Sequence, residues 1–199
     1  MENLKRQALI FVWIGEIWNA MEVAIALWSG IGSGSVALIA FGLDSIIELF
    51  AGAVLIWRLQ ASFKAKDEEA AEKKALKLVG ISYFVLAGYV ILHSAASLLG
   101  FFPEPKTSFV GIFLVIASAV VMTALYFKKI SLAKKLNSQS LKAEAKQALF
   151  CDLQDLPVLI GLGANALIGW WWADPLVALA LIPLIVKEGR EAFQEKECC

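Results

Sequence analysis

Two otherwise apolar segments each contain a pair of residues of metal-ligating type. Within each pair the two residues are four positions apart. Asp44 and Glu48 lie in the stretch GLDSIIELF, and Cys151 and Asp155 lie in the stretch CDLQD. Residues at positions i and i+4 of a helix project from the same face, so each segment would present two ligand atoms on one side. Two such helices facing each other would supply four ligands, the number that a tetrahedral divalent ion takes. The spacing therefore predicts a cation site shared between two helices.

The segments around these residues have the composition of membrane-spanning helices. The chain has 199 residues, of which 59% are hydrophobic, and a mean hydropathy of +0.70. A helix needs about 20 mostly apolar residues to cross a bilayer. The apolar runs predict an all-α integral membrane protein with one domain, 1–199, that ends in a short cytoplasmic tail, 190–199. The six predicted transmembrane helices cover approximately residues 8–28, 36–57, 78–99, 109–127, 145–169 and 174–190.

The basic residues predict the orientation of these helices. Of the 18 Lys and Arg residues, all but Lys106 fall on one side of the membrane if six helices alternate in direction. Lys and Arg concentrate in cytoplasmic loops, so both termini are predicted to be cytoplasmic. We interpret the basic connections as topology signals on solvated helix extensions, not as a surface for nucleic acid.

Acidic residues inside a bilayer are costly and mark functional sites. No Lys or Arg is predicted in the same helix cores, so ion pairing does not account for them. They are therefore protonated and hydrogen-bonded between helices, or they line water, or they bind a cation. The acids in predicted spans are Glu16, Glu22, Asp44, Glu48, Asp152 and Asp155.

Further polar residues accompany the two pairs of predicted ligands. Asp152 points about 100° away from Cys151 on a helix of 3.6 residues per turn and is a candidate to support the ligands or to replace one. Gln154 is a candidate to support the ligands. Glu16, Asn19 and Glu22 recur at three-residue steps along the first helix. They are predicted either to line an access route and exchange protons or to form a polar helix interface.

The remaining cysteines and the single histidine carry weaker signals. Cys198 and Cys199 end the predicted cytoplasmic tail, where thiols stay reduced; they are either soft-metal ligands or an unimportant terminus. His93 lies toward the outer end of the third helix, and an isolated histidine is more often an interface residue than a ligand.

Two long stretches resemble the cation diffusion facilitator family. These are SGSVALIAFGLDSIIE at the second helix and KQALFCDLQDLPVLIGLGANALIGWWWADPLVALAL across the fifth and sixth. Members of this family export divalent cations such as zinc in exchange for protons, and the resemblance implies that Asp44, Glu48, Cys151 and Asp155 fill the transport-site positions. Here Glu48 stands where Asp is usual and Cys151 where His is typical. A thiolate favours zinc or cadmium over manganese or magnesium.

The combined prediction is a proton-coupled secondary transporter that exports zinc, with cadmium or iron as alternatives. The expected partners are the metal ion, protons, the lipid bilayer and a second copy of the chain, in a bacterial inner or plasma membrane. No permanent cofactor and no enzyme activity are expected, and no GxxxxGK[ST] motif for ATP occurs. The family's usual C-terminal cytoplasmic domain is expected to be absent. The alternatives are a membrane metal sensor without transport and an organic-cation exporter.

Overall fold

The structure, a computed structural model, describes residues 2–60, 66–136 and 139–193. Across these ranges the chain forms six α-helices and no strand, which confirms the predicted all-α class and helix number. The helices are α1 (Glu2–Ser33), α2 (Val36–Gln60), α3 (Lys66–Leu98), α4 (Phe109–Leu136), α5 (Gln139–Ile168) and α6 (Ala173–Phe193).

Within the described residues, four helical segments are long and apolar enough to cross a membrane. The qualifying segments are Arg6–Ser33, Val36–Ala53, Lys77–Leu98 and Phe109–Leu136. Among the described side chains of α5, the apolar segment covers Asp155–Ile168. In α6 the uncharged run is short, because it lies between Asp174 and Lys187. Charged residues thus bound the apolar run of α6 at both ends.

The central element of the bundle is α2, which packs against α1, α3, α5 and α6. Around it, α3 packs on α6, and α4 packs on both α1 and α5. Leu38 and Ile47 of α2 belong to the same buried apolar cluster as Val90 of α3, Val158 of α5 and Ala178 of α6. Because α2 has neighbours on several sides, the polar residues near its middle lie within the bundle: Ser45 is buried, and Asp44 and Glu48 are partly buried.

A buried carboxylate from α6 caps the outer end of α2. Ser35 is the N-cap residue, and its hydroxyl oxygen accepts a hydrogen bond from the Leu38 amide at 3.1 Å. Asp174, which is fully buried, accepts hydrogen bonds from the Ser35 hydroxyl and from the amides of Val36 at 2.8 Å and Ala37 at 3.3 Å. The first-turn amides of a helix lack partners within the helix and attract negative charge. The start of α6 therefore fastens the start of α2.

Other polar contacts close the same end of the bundle. The Asn165 side chain of α5 donates to the Pro105 carbonyl at 2.8 Å. The hydroxyls of Ser29 and Ser108 lie 2.6 Å apart, linking α1 to the start of α4. The Lys106 amide donates to the Ser33 carbonyl at 2.7 Å. Together these bonds join the outer connections of the bundle to one another.

One basic residue departs from the predicted solvated position. Lys129 of α4 is only 2% exposed, and its ammonium nitrogen lies 3.3 Å from the place that a Cβ on Gly15 of α1 would occupy. Our expectation that this connection holds only solvated lysines is therefore wrong for Lys129. The interpretation failed because α4 continues to Leu136, so that one helix face stays packed on α1 beyond the predicted apolar run.

Candidate metal site

The polar residues of α1 face the ligand-bearing face of α2. The two helices run antiparallel, and their facing residues follow a regular register. From the outer to the inner end, the facing pairs are Gly30 with Ile39, Ala26 with Gly42, Glu22 with Ser45, Asn19 with Glu48, and Glu16 with Gly52. The predicted row of Glu16, Asn19 and Glu22 thus forms a polar interface with α2, and its role in proton exchange stays a prediction.

Hydrogen bonds connect this row to α2 in the interior of the bundle. The Asn19 amide donates to Glu48 Oε2 at 3.3 Å. One turn closer to the outer end, the Ser45 hydroxyl lies 3.4 Å from Glu22 Oε2 and 3.1 Å from the Phe41 carbonyl. Asn19 and Glu22 are 4% and 2% exposed, whereas Glu48 is partly buried. Electrostatic interactions are stronger in such a buried environment than in water.

A glycine on α2 makes room for the innermost acid of the row. A Cβ added to Gly52 would overlap the carboxylate of Glu16. The absence of a side chain at Gly52 lets the Glu16 carboxylate lie directly against the α2 backbone. The position of the Glu16 carboxylate therefore depends on the glycine at residue 52, which lies 36 residues later in the chain.

One carboxylate oxygen of Asp44 is a candidate metal ligand. Its Oδ1 atom is buried and has no hydrogen-bond partner among the described residues. The negative charge of Glu188, a 4% exposed residue of α6, acts on the same carboxylate. Two acids that repel each other in a desolvated place favour a cation between or beside them.

Glu188 was missed by the sequence analysis, which named no residue of the sixth helix as a site residue. It stands between Lys187 and Arg190 near the inner end of α6, a context typical of a solvated helix end. Its neighbour Gly189 packs closely against Tyr83 of α3, and this tight packing draws that helix face into the interior. No sequence signal separates Glu188 from the exposed charges around it.

Asp155 lies at a depth similar to that of Glu48. A helix rises about 1.5 Å per residue, so Glu48 is roughly 18 Å from the outer start of α2 at Val36. By the same measure Asp155 is roughly 20 Å from the outer end of α5 at Ile168. Asp155 is partly buried, and α5 packs against α2. Pro157, two residues later, lies inside α5 and leaves one backbone carbonyl of the preceding turn without its helical partner.

The structure describes the side chains of only three of the four predicted ligands. Among the described side chains, no three of the His, Cys, Asp and Glu type lie close enough together to hold a metal ion. The side chains of Cys151, Asp152 and Gln154 lie outside the described ones, although their backbone belongs to α5. Cys198 and Cys199 lie beyond the described residues. The four-ligand site therefore stays a prediction, with the positions of Asp44, Glu48 and Asp155 as its described part.

His93 makes local contacts on α3. Its Nδ1 atom lies 2.9 Å from the hydroxyl of Tyr89, one turn earlier. Its ring also packs edge-on against Phe102, with ring centroids 4.8 Å apart. These contacts are those of an interface residue at the outer end of the bundle.

Comparison with known proteins gives a consistent family assignment. The sequence model of a family described as the cation efflux transmembrane domain matches residues 12–196. Metal tolerance protein 11 of Arabidopsis thaliana is 26% identical over 195 residues, which cover 90% of this chain and 47% of that protein. An uncharacterized transporter of Synechocystis sp. is 28% identical over 156 residues, covering 75% of this chain and 50% of the relative.

A third relative is the magnetosome protein MamM of Paramagnetospirillum magneticum. It is 23% identical over 173 residues, which cover 84% of this chain and 54% of that protein. The chain thus spans about half the length of the curated relatives it matches.

Proposed function

We propose that this chain, which belongs to the cation efflux family and is a multi-pass membrane protein, exports a divalent transition-metal ion from the cytoplasm in exchange for protons. Zinc is the proposed cargo, with cadmium or iron as alternatives. The observation that carries the proposal is the buried Oδ1 atom of Asp44, which has no hydrogen-bond partner among the described residues, one turn from Glu48. A dehydrated divalent ion is a natural partner for such an oxygen.

The proposed ligands are Asp44 and Glu48 of α2 with Cys151 and Asp155 of α5. Two observations support this choice: α2 packs against α5, and Glu48 and Asp155 lie at similar depth along their helices. A thiolate at residue 151 would favour zinc or cadmium over harder ions. Asp152 and Gln154 are proposed to support these ligands, and Glu16, Asn19 and Glu22 to line the approach along α1.

Proton exchange follows from the chemistry of the ligands. Carboxylates and thiols bind a metal in their deprotonated form, so a metal ion and protons compete for them. On the cytoplasmic side the metal would displace protons. On the outer side protons would displace the metal, and the protonated carrier would return.

Zinc flux in proteoliposomes tests this proposal. Vesicles containing the purified chain and a zinc-sensitive dye are given a pH gradient, and zinc entry is followed by fluorescence. We expect gradient-dependent flux that Asp155→Ala abolishes without lowering expression. Glu104→Ala is the matched control, because it removes an exposed carboxylate from the outer connection and should leave flux unchanged.

Two results would count against the proposal. If the folded wild-type chain moves no zinc, cadmium or iron under any gradient, transport of these ions is ruled out. Calorimetric metal binding without flux would then favour a membrane sensor. If Asp155→Ala transports as well as the wild type, the predicted ligand set is wrong.

We also propose that the chain acts as a homodimer, as the family resemblance implies. Light scattering of the detergent-solubilised protein measures the mass of the protein part directly. A mass of one chain, 21.7 kDa, at concentrations that support flux would contradict the dimer.

A further inference from the structure

Asn19 has a buried oxygen that the described residues leave without a hydrogen bond. The side chain is 4% exposed, and its Nδ2 atom donates to Glu48 Oε2 at 3.3 Å. The other end of the same amide, Oδ1, is buried and has no hydrogen-bond partner among the described residues. Most buried polar atoms in proteins have a partner, so each exception calls for a physical reason.

The orientation of the amide follows from its neighbour. A carboxylate accepts hydrogen bonds and an amide nitrogen donates them, so Nδ2 must face Glu48. Flipping the amide would bring two oxygens together and leave a nitrogen donor unused. The carbonyl oxygen of Asn19 is therefore the atom left over, and it lies next to a predicted metal ligand.

The groups around this oxygen suit a cation. Glu48 is in direct contact with Asn19, and Glu22 lies one turn away on the same face of α1. Both are acceptors when ionised, and neither then supplies a proton to the Asn19 oxygen. A cation bound by Glu48 would satisfy the oxygen, because carbonyl oxygens are good ligands for hard divalent ions.

We propose that Asn19 Oδ1 is a ligand of the transported cation, so that α1 contributes to the site together with α2 and α5. This inference rests on the proposed metal transport and adds to it a determinant of selectivity. Zinc sites in proteins take four ligands, mostly nitrogen, sulfur and carboxylate oxygen. Manganese and ferrous ions accept more ligands and favour oxygen. An amide oxygen beside Glu48 should therefore extend the cargo toward manganese and ferrous ions.

Two substitutions distinguish the role of the Asn19 amide oxygen from that of its nitrogen. Asn19→Leu removes both polar atoms at nearly constant volume. Asn19→Asp keeps an oxygen ligand but loses the donor to Glu48. Asn165→Leu is the matched control, because Asn165 is also a buried amide, 9% exposed, but it bonds to the Pro105 carbonyl at the outer end of the bundle.

The measurement is the half-saturating concentration of Mn²⁺ and of Zn²⁺ for uptake into proteoliposomes containing the full chain. We expect Asn19→Leu to raise the Mn²⁺ value about tenfold or more, the scale of losing a group that supports a metal site, and to change the Zn²⁺ value far less. Asn19→Asp should stay close to the wild type for Mn²⁺. Asn165→Leu should leave the ratio of the two values unchanged.

Other outcomes would overturn the proposal. If Asn19→Asp loses Mn²⁺ uptake as strongly as Asn19→Leu, the amide serves only to orient Glu48. If Asn19→Leu leaves the Mn²⁺ to Zn²⁺ ratio unchanged in a monodisperse protein, the oxygen is not a ligand.

A binding measurement distinguishes this failure from failure of the transport proposal. Calorimetric titration of Mn²⁺ into the detergent-solubilised chain needs no flux. Weaker Mn²⁺ binding by Asn19→Leu than by the wild type would support the ligand role even if the wild type transports nothing. Equal binding by the two proteins would refute it whether or not the wild type transports.

Discussion

Removing the Asp174 side chain should markedly destabilise the folded bundle. The substitution Asp174→Ala takes away the acceptor of three hydrogen bonds, from the Ser35 hydroxyl and from the amides of Val36 and Ala37. All four residues are 0% exposed, so the site is closed to solvent. The donors would therefore be left without partners at the first turn of α2.

The size of the loss can be estimated from the bonds. A hydrogen bond to a charged group contributes about 1.5–3 kcal/mol, and a buried donor left without a partner costs about 1–3 kcal/mol. Since the Ala37 bond is long, at 3.3 Å, we expect a total loss of about 3–5 kcal/mol. For a chain of this size that corresponds to a fall in melting temperature of roughly 10 °C.

Asp174→Asn is the informative comparison. Its carbonyl oxygen still accepts from both amides, and its nitrogen donates to the Ser35 oxygen, which is already an acceptor for Leu38. We expect Asp174→Asn to cost about 1 kcal/mol.

Thermal unfolding in detergent, followed by the loss of the monodisperse peak in size-exclusion chromatography, measures the three proteins side by side. A melting temperature of Asp174→Ala within about 2 °C of the wild type would refute this reasoning. Equal losses for the Ala and Asn variants would show that charge, not hydrogen bonding, holds the two helices together.

Two further substitutions test the packing and the charge of the site. Gly52→Ala should lower the melting temperature, because its Cβ would overlap the Glu16 carboxylate. The control Gly88→Ala should raise it slightly, since nothing lies within 4 Å of a Cβ there and Ala exceeds Gly in helix propensity by about 1 kcal/mol. Equal effects of the two variants in the unfolding assay would show that Glu16 moves aside freely. Glu188→Gln should weaken Zn²⁺ binding measured by calorimetry, because it removes a negative charge that acts on Asp44. The control Glu191→Gln should have little effect, because Glu191 is partly exposed, lies one turn away and pairs with Lys187 at 3.7 Å. Unchanged affinity in Glu188→Gln would show that Glu188 is not part of the metal site.

The sequence alone determined the helix content, the number of helices and the family. Apolar runs of membrane-spanning length are local properties of the chain, and so is the i, i+4 spacing of Asp44 and Glu48. That spacing put both acids on one face of α2 without any tertiary information. The three-residue steps of Glu16, Asn19 and Glu22 similarly indicated one face of α1.

Only the tertiary structure decided which groups meet those faces. Asp174 caps a helix that begins 138 residues earlier in the chain, and Glu188 acts on Asp44 from another helix. Lys129 looks like a solvated charge in the sequence but is buried against Gly15. Whether a polar side chain at a helix end lies in solvent or in the bundle depends on the neighbouring helix, and no local pattern of residues records the neighbour.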